Sequence, residues 1–212
     1  IPKLGLVWDS IPSQLAKENK KFMFSGVKWG ARAREYENAL RWLRDSGLIH
    51  FCHAVSTSRP PLGHYADHSC FKVYPLDVGL LGAAARTPIN LMVQGELPFV
   101  EFRGALTESY VAQQLVAAGV PDLHYWRSTG GKAEIDFLCE FDGQVAPLEV
   151  KAGHSRRSKS LHSYDGQFAP ALLCRTTRRN LKMDGKVCNV PLYALGALPR
   201  LIPEGWARGA DS

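Results

Sequence analysis

The sequence predicts an α/β protein in which a small region of helices and β-ribbon leads into a domain built on a mixed sheet flanked by helices. Three observations support that class. Apolar and polar residues alternate on both sides of the pair Asp142-Gly143, a helical apolar stripe runs through residues 103–119, and two helix-patterned segments precede two strand-patterned ones in residues 1–75.

The elements follow in chain order. Ser10 precedes "IPSQLAKEN" and predicts a helix cap there, with Pro12 tolerated in the first turn. A second helix is expected from about Ala31 to Ser46, with Tyr36, Ala39, Leu40 and Leu43 as its apolar stripe and Gly47 at its end. The strands "LIHFCHAVS" and "HSCFKVYP" come next, separated by the loop "TSRPPLGHYAD". Two helices and a ribbon over residues 1–75 suggest a winged-helix-like segment, whose second helix would read a nucleic-acid groove through Arg34, Arg41 and Arg44. Glu35, Glu37 and Asp45 dilute that basic side, and the same residues suit a contact with a neighbouring domain equally well. Residues 76–103 read as a helical bridge broken by Pro88, Gly95 and Pro98. No internal repeat or low-complexity tract is present.

The stretch "RGALTESYVAQQLVAAG", residues 103–119, reads as a helix that stops at Gly119 and Pro121. At about 100° per residue, Glu108 shares a face with Ala105, Val111, Ala112 and Leu115, so a carboxylate is aimed at the core side. A glutamate at the edge of the stripe that reaches solvent by its stem is the plainer alternative.

Asp142-Gly143 is a strong signal for a two-residue type I′ turn, because both central residues need positive φ. With that loop Phe141 pairs with Gln144, Asp136 faces Glu149, and Glu134 faces Lys151. Each strand is then half-buried, with Glu134, Asp136, Glu149 and Lys151 on one face and Ile135, Phe137, Leu148 and Val150 on the other. Two carboxylates at cross-strand positions lie about 5 Å apart at Cβ. Their repulsion is about 3 kcal/mol at an effective dielectric near 20. A hard dication compensates such a pair, since Mg²⁺ takes one or two carboxylates and completes its shell with water and phosphate oxygens. Lys151 would then orient a water or stabilise charge developing on phosphate. The bland alternative is an exposed hairpin face with a Glu134–Lys151 ion pair.

The order Glu108, Asp136, Glu149-Val150-Lys151 resembles the PD-(D/E)XK nuclease superfamily, with Ile135 standing where its name carries proline. More closely, "FKVYPLDVGLLGA", "GALTESYVAQQL", "YWRSTGGKAEIDFLCE", "PLEVKAG", "SKSL" and "VPLY" look like the C-terminal domain of unknown function of prokaryotic AAA-type ATPases. The resemblance covers most of the chain, and "IPSQLAKENKKFMFSGVKWGARAREYENALRWLRDSGLI" is similar to the segment between ATPase core and nuclease-like domain. It implies a restriction-endonuclease-like domain over 104–205, with residues 206–212 as a tail. It also implies Mg²⁺ or Mn²⁺ held by Asp136, Glu149 and Glu108, with Lys151 assisting the nucleophile. No G-x-x-x-x-G-K-[ST] loop occurs, so ATP enters only through an ATPase portion of a longer protein, consistent with a chain that opens on Ile1.

Composition fits a globular protein: 212 residues with 45% hydrophobic content suffice for one good core and a smaller one. No apolar run approaches the roughly 20 residues of a membrane helix and no signal peptide opens the chain, so a cytoplasmic location is expected. A net charge of +6 suggests an anionic partner. Arg156, Arg157 and Lys159 follow the LEVK strand, and Arg175, Arg178, Arg179 and Lys182 cluster after "PALLCRT"; both groups would flank the acidic site and hold nucleic-acid phosphates, most naturally those of DNA. The five cysteines are spread through apolar strands and read as reduced core thiols. Cys52, His53, His64, His68 and Cys70 match no zinc spacing.

The leading expectation is therefore a Mg²⁺-dependent nuclease or DNA-processing module attached to an ATPase. The rival is a catalytically inactive nuclease fold that docks nucleic acid or a partner protein and regulates the ATPase.

Overall fold

The structure, a computed structural model, describes residues 2–87, 100–152 and 158–202. It is a mixed α/β structure whose chain forms two compact units, one from 1–52 with 70–113 and the other from 53–69 with 114–212.

In the first unit, helix α1 spans Pro2–Leu15, beginning eight residues before Ser10, the expected cap. Ser10 lies inside it rather than capping it, and its hydroxyl donates to the Val7 carbonyl at 2.7 Å while accepting from Gln14 Nε2 at 3.1 Å. Val7, Ile11 and Leu15, four residues apart and all buried, extend the helix backwards; that packing outweighs the local capping preference of serine. Helix α2, Ala33–Asp45, buries Tyr36, Ala39, Leu40 and Leu43, the expected stripe. It ends where Gly47 takes φ +73° and the Leu48 N–H donates to Leu43 O at 2.9 Å, the six-to-one bond of a glycine C-terminus.

Strands β1, Ile49–Val55, and β2, Ala66–Pro75, form the ribbon. Asp77 caps the short helix α3, Val78–Ala84, by accepting the Leu80 N–H at 2.8 Å. Most of the expected bridge after that, including Pro88, Gly95 and Pro98, lies outside the described residues. Helix α4, Val100–Ala117, buries Ala105, Glu108, Val111, Ala112 and Leu115, so the glutamate is inside the stripe rather than at a wet edge.

The second unit holds an eight-stranded, mostly antiparallel sheet in the order β2-β1-β3-β4-β5-β6-β8-β7, to which β1 and β2 contribute their ends 53–55 and 66–69. The other strands are β3 Leu123–Arg127, β4 Glu134–Phe141, β5 Gln144–Val150, β6 Leu173–Thr177, β7 Lys182–Asp184 and β8 Val187–Pro191. Asp142 and Gly143 take φ 50° and 71°, and the β4–β5 register runs from Phe141↔Gln144 to Phe137↔Leu148, as the turn chemistry predicts. The expected half-burial does not hold for β5, which is buried from Val145 to Val150. It is a central strand, antiparallel to β4 on one side and parallel to β6 on the other, and strands feeding parallel crossovers are covered on both faces. Helix α5, Lys159–Phe168, makes that crossover. Leu161 and Tyr164 of α5 pack with Trp126, Ile135, Leu138, Val145 and Leu173, which form the core of this unit.

Candidate functional site

Asp136 of β4 lies at a departure from regular strand geometry. Trp126 pairs with Ile135 and His124 pairs with Leu138, so Asp136 and Phe137 together oppose the single residue Tyr125. This is a β-bulge, a device that bends a strand and re-aims the side chain it carries. The Asp136 carboxylate accepts the Val150 N–H at 2.7 Å, which puts it against the backbone between Glu149 and Lys151. The expected Asp136–Glu149 ladder pair is thus replaced by a side-chain bond, since the regular register stops at Phe137↔Leu148.

Glu149 is buried with 4% exposure, and Lys151 Nζ donates to its Oε1 at 2.5 Å. The Lys151 N–H donates to Thr176 O at 3.0 Å, so β6 holds the end of this strand. Lys151 pairs with Glu149, and Glu134 pairs in register with Arg127. Local compensation of the carboxylates is therefore already present, as an ammonium on Glu149 and an amide donor on Asp136. Burial makes the partner of Glu149 necessary, because a carboxylate removed from water without one is strongly disfavoured.

Glu108 belongs to the first unit and is engaged there. It forms an ion pair with Lys20 and accepts from the Tyr74 hydroxyl at 3.2 Å. Lys20 and Tyr74 are partners that sequence reasoning missed; Lys20 lies 88 residues away and nothing in its surroundings signals the contact. Among the described residues no group of three or more His, Cys, Asp or Glu side chains forms a ready metal cluster. Asp136 and Glu149 alone still match the one or two carboxylates that Mg²⁺ takes, the rest of its shell being water and phosphate.

The basic residues divide sharply. Arg41 donates to Glu37 at 2.6 Å and Arg44 to Asp45 at 2.8 Å, with the Arg44 guanidinium also 5.6 Å from the Phe51 ring centre. Arg34 is exposed on the same helix. Lys159 is exposed at the start of α5, whereas Arg156 and Arg157 lie outside the described residues.

Residues 103–195 match the family model of a domain of unknown function, DUF4143. Residues 1–90 match a second such model, DUF8612. The DUF4143 match contains Glu108, Asp136, Glu149 and Lys151 and is consistent with the C-terminal domain of AAA-type ATPases. No curated protein and no solved structure matches the chain.

The second unit brings His124 beside His53 and His68, a neighbour that sequence reasoning missed. His53 and His68 lie with ring centres 4.9 Å apart, and the charges of His68 and His124 both act on His53. Burial, then the neighbouring histidines, holds His53 below the ordinary histidine value; burial also holds His124 low, against the opposing pull of Asp122 and Glu140. Adjacent sequence placed His53 and His68 together, but only the sheet order brings β3, and with it His124, beside them. All five cysteines are buried free thiols, and burial pushes Cys139 up to about 12 and Cys174 well above its usual value. Such thiols are unreactive core groups. Among the described residues no helix is long and apolar enough to cross a membrane.

Proposed function

We propose that the second unit is a metal-dependent phosphodiester-cleaving module acting on nucleic acid, DNA in the first instance, and that it works as the C-terminal part of an AAA-type ATPase. The observation that carries this reading is the Asp136 carboxylate at the β4 bulge, which accepts the Val150 N–H and so lies against the backbone between Glu149 and Lys151. Bulges are over-represented next to active sites, where they re-aim a side chain. Asp136 and Glu149 would hold Mg²⁺ or Mn²⁺, which when bound supplies a Lewis acid for the phosphate and lowers the pKa of water. Lys151, paired with Glu149 and 30% exposed, is placed to exchange that carboxylate for the developing negative charge on phosphate. A restriction-endonuclease-like description of the sheet and a winged-helix description of residues 1–75 belong to the same proposal, as does nucleotide use through an attached ATPase.

One observation favours the rival docking module. Glu149 and Glu108 are each neutralised by a lysine, and Asp136 by an amide, a set that is complete without a cation. Single-turnover cleavage of end-labelled DNA with millimolar Mn²⁺ separates the two. The nuclease reading expects metal-dependent cutting that Asp136→Asn and Glu149→Gln each abolish; binding without cutting, even with the ATPase portion and ATP supplied, leaves the docking module.

A further inference from the structure

A cleft of about 430 Å³ opens beside β6, β7 and β8, lined by Arg175, Arg179, Asn180, Lys182, Asp184 and Asn189. Three cations face one carboxylate. Its position relative to the acidic residues follows from the sheet register. Glu149 pairs with Arg175, Arg175 with Asn189, and Asn189 with Lys182, so the four side chains form one row on one face of four adjacent strands. The cleft therefore continues the row that begins at Glu149.

Its wall is held in place before any ligand arrives. Asn189 accepts from the Thr177 hydroxyl at 2.9 Å and donates to Arg179 O at 3.3 Å and Asn180 O at 2.9 Å, while the Arg179 N–H donates to Thr177 Oγ1 at 3.0 Å. One buried asparagine thus uses its amide to fix the loop that carries Arg179. Arg179 and Lys182 are exposed and make no ion pair among the described residues, unlike Arg41 and Arg44 of α2. Cations fixed by their backbone and left without a carboxylate are a site for an anion.

We propose that this cleft is a phosphate subsite that holds the backbone of a single nucleic-acid strand crossing the sheet from Glu149 towards β7. The assignment of the strand's other end rests on the reading of Asp136 and Glu149 given above. Strands lie about 4.8 Å apart, which puts Lys182 about 14 Å along the row from Glu149. The volume is that of a small-ligand cleft and suits one strand.

The test measures anisotropy of a labelled 12-nucleotide single strand in EDTA at several salt concentrations, so that no cleavage is involved. Arg179→Ala with Lys182→Ala should lower affinity and flatten the log-log salt slope by about 0.7 for each lost contact. Lys182→Gln alone, at an exposed position of β7, should remove about half of that change and guards against a double variant that fails to fold. Binding is read in EDTA at the cleft alone, so failure of the cleavage reading leaves this assay intact. Wild-type slope and affinity in both cleft variants would overturn the proposal. So would displacement of the strand by millimolar inorganic phosphate with no dependence on oligonucleotide length, which would assign the cleft to a free anion.

Discussion

Glu108 and Glu149 are both buried glutamates answered by a lysine, yet the two units build these pairs by opposite means. Glu149 takes its cation from Lys151, two residues on along the same strand end, so the pair is written into a local alternation. Glu108 takes Lys20 from a distant segment and a hydroxyl from Tyr74 on β2, so its pair exists only once the first unit has folded. The exposure of the two lysines differs in the same sense, 30% for Lys151 against 17% for Lys20. A wet, local lysine is suited to leave its carboxylate during a reaction, and a dry, distant one is suited to hold a core together.

Four experiments break or sharpen that contrast, from the largest effect to the smallest. Lys151→Met should lower single-turnover cleavage by about 10² to 10³ while nucleic-acid affinity stays within a few-fold, because a donor acting on developing charge affects the rate more than ground-state binding. Lys20→Met should leave the rate per folded molecule unchanged; an equal loss in both variants would dissolve the distinction.

Stability should not separate the two pairs, because both lysines answer a buried carboxylate. Lys20→Met strands the Glu108 carboxylate in a buried setting and should cost about 3 kcal/mol in denaturant titrations. Lys151→Met strands a carboxylate that is at least as deeply buried, Glu149 at 5% exposure against 8% for Glu108, and should cost a similar amount.

The local device depends on its turn. Gly143 has φ +71°, which an L side chain adopts only with strain, so Gly143→Ala should cost about 1 kcal/mol. Its effect on cleavage should exceed that of Gly47→Ala, which has a similar φ of +73° at the end of α2 in the other unit.

The smallest expected effect is a pH dependence carried by His53 and His124, both held below the ordinary histidine value by burial. Below about pH 6.5 the unfolded chain takes up protons that these folded-state rings resist, so their contribution to stability is complete above that pH and is lost as the pH falls through the folded values. Denaturant titrations from pH 7.5 to pH 5 should show stability falling with pH, and His124→Gln should flatten the fall. A slope unchanged in that variant would place the titration elsewhere.

Much of this protein was legible in its sequence wherever the deciding contacts are close along the chain. The Asp142-Gly143 turn set the β4–β5 register, and the 3.6-residue spacing of Tyr36, Ala39, Leu40 and Leu43, and of Ala105, Glu108, Val111, Ala112 and Leu115, named the buried faces of α2 and α4. Two misses had signals in plain view. Val7, Ile11 and Leu15 mark α1 eight residues before the serine taken for its cap, and Asp184 pairs with Val187 around a Gly185-Lys186 turn that closes the β7–β8 hairpin.

The sequence by itself determined which residues make up the candidate site: a carboxylate in β4, a Glu-x-Lys at the end of β5, and cations following β6. Backbone dihedrals, alternation and turn chemistry act over a few residues, and a single chain displays them. Only the tertiary structure decided how those residues are used. Asp136 at the bulge opposite Tyr125 accepts the Val150 N–H, Lys151 pairs with Glu149, Lys20 closes on Glu108, and the strand order lines Arg175, Asn189 and Lys182 up with Glu149. Each depends on which strand or helix becomes a neighbour, and that choice is made by burial summed over the whole core rather than by any local run of residues.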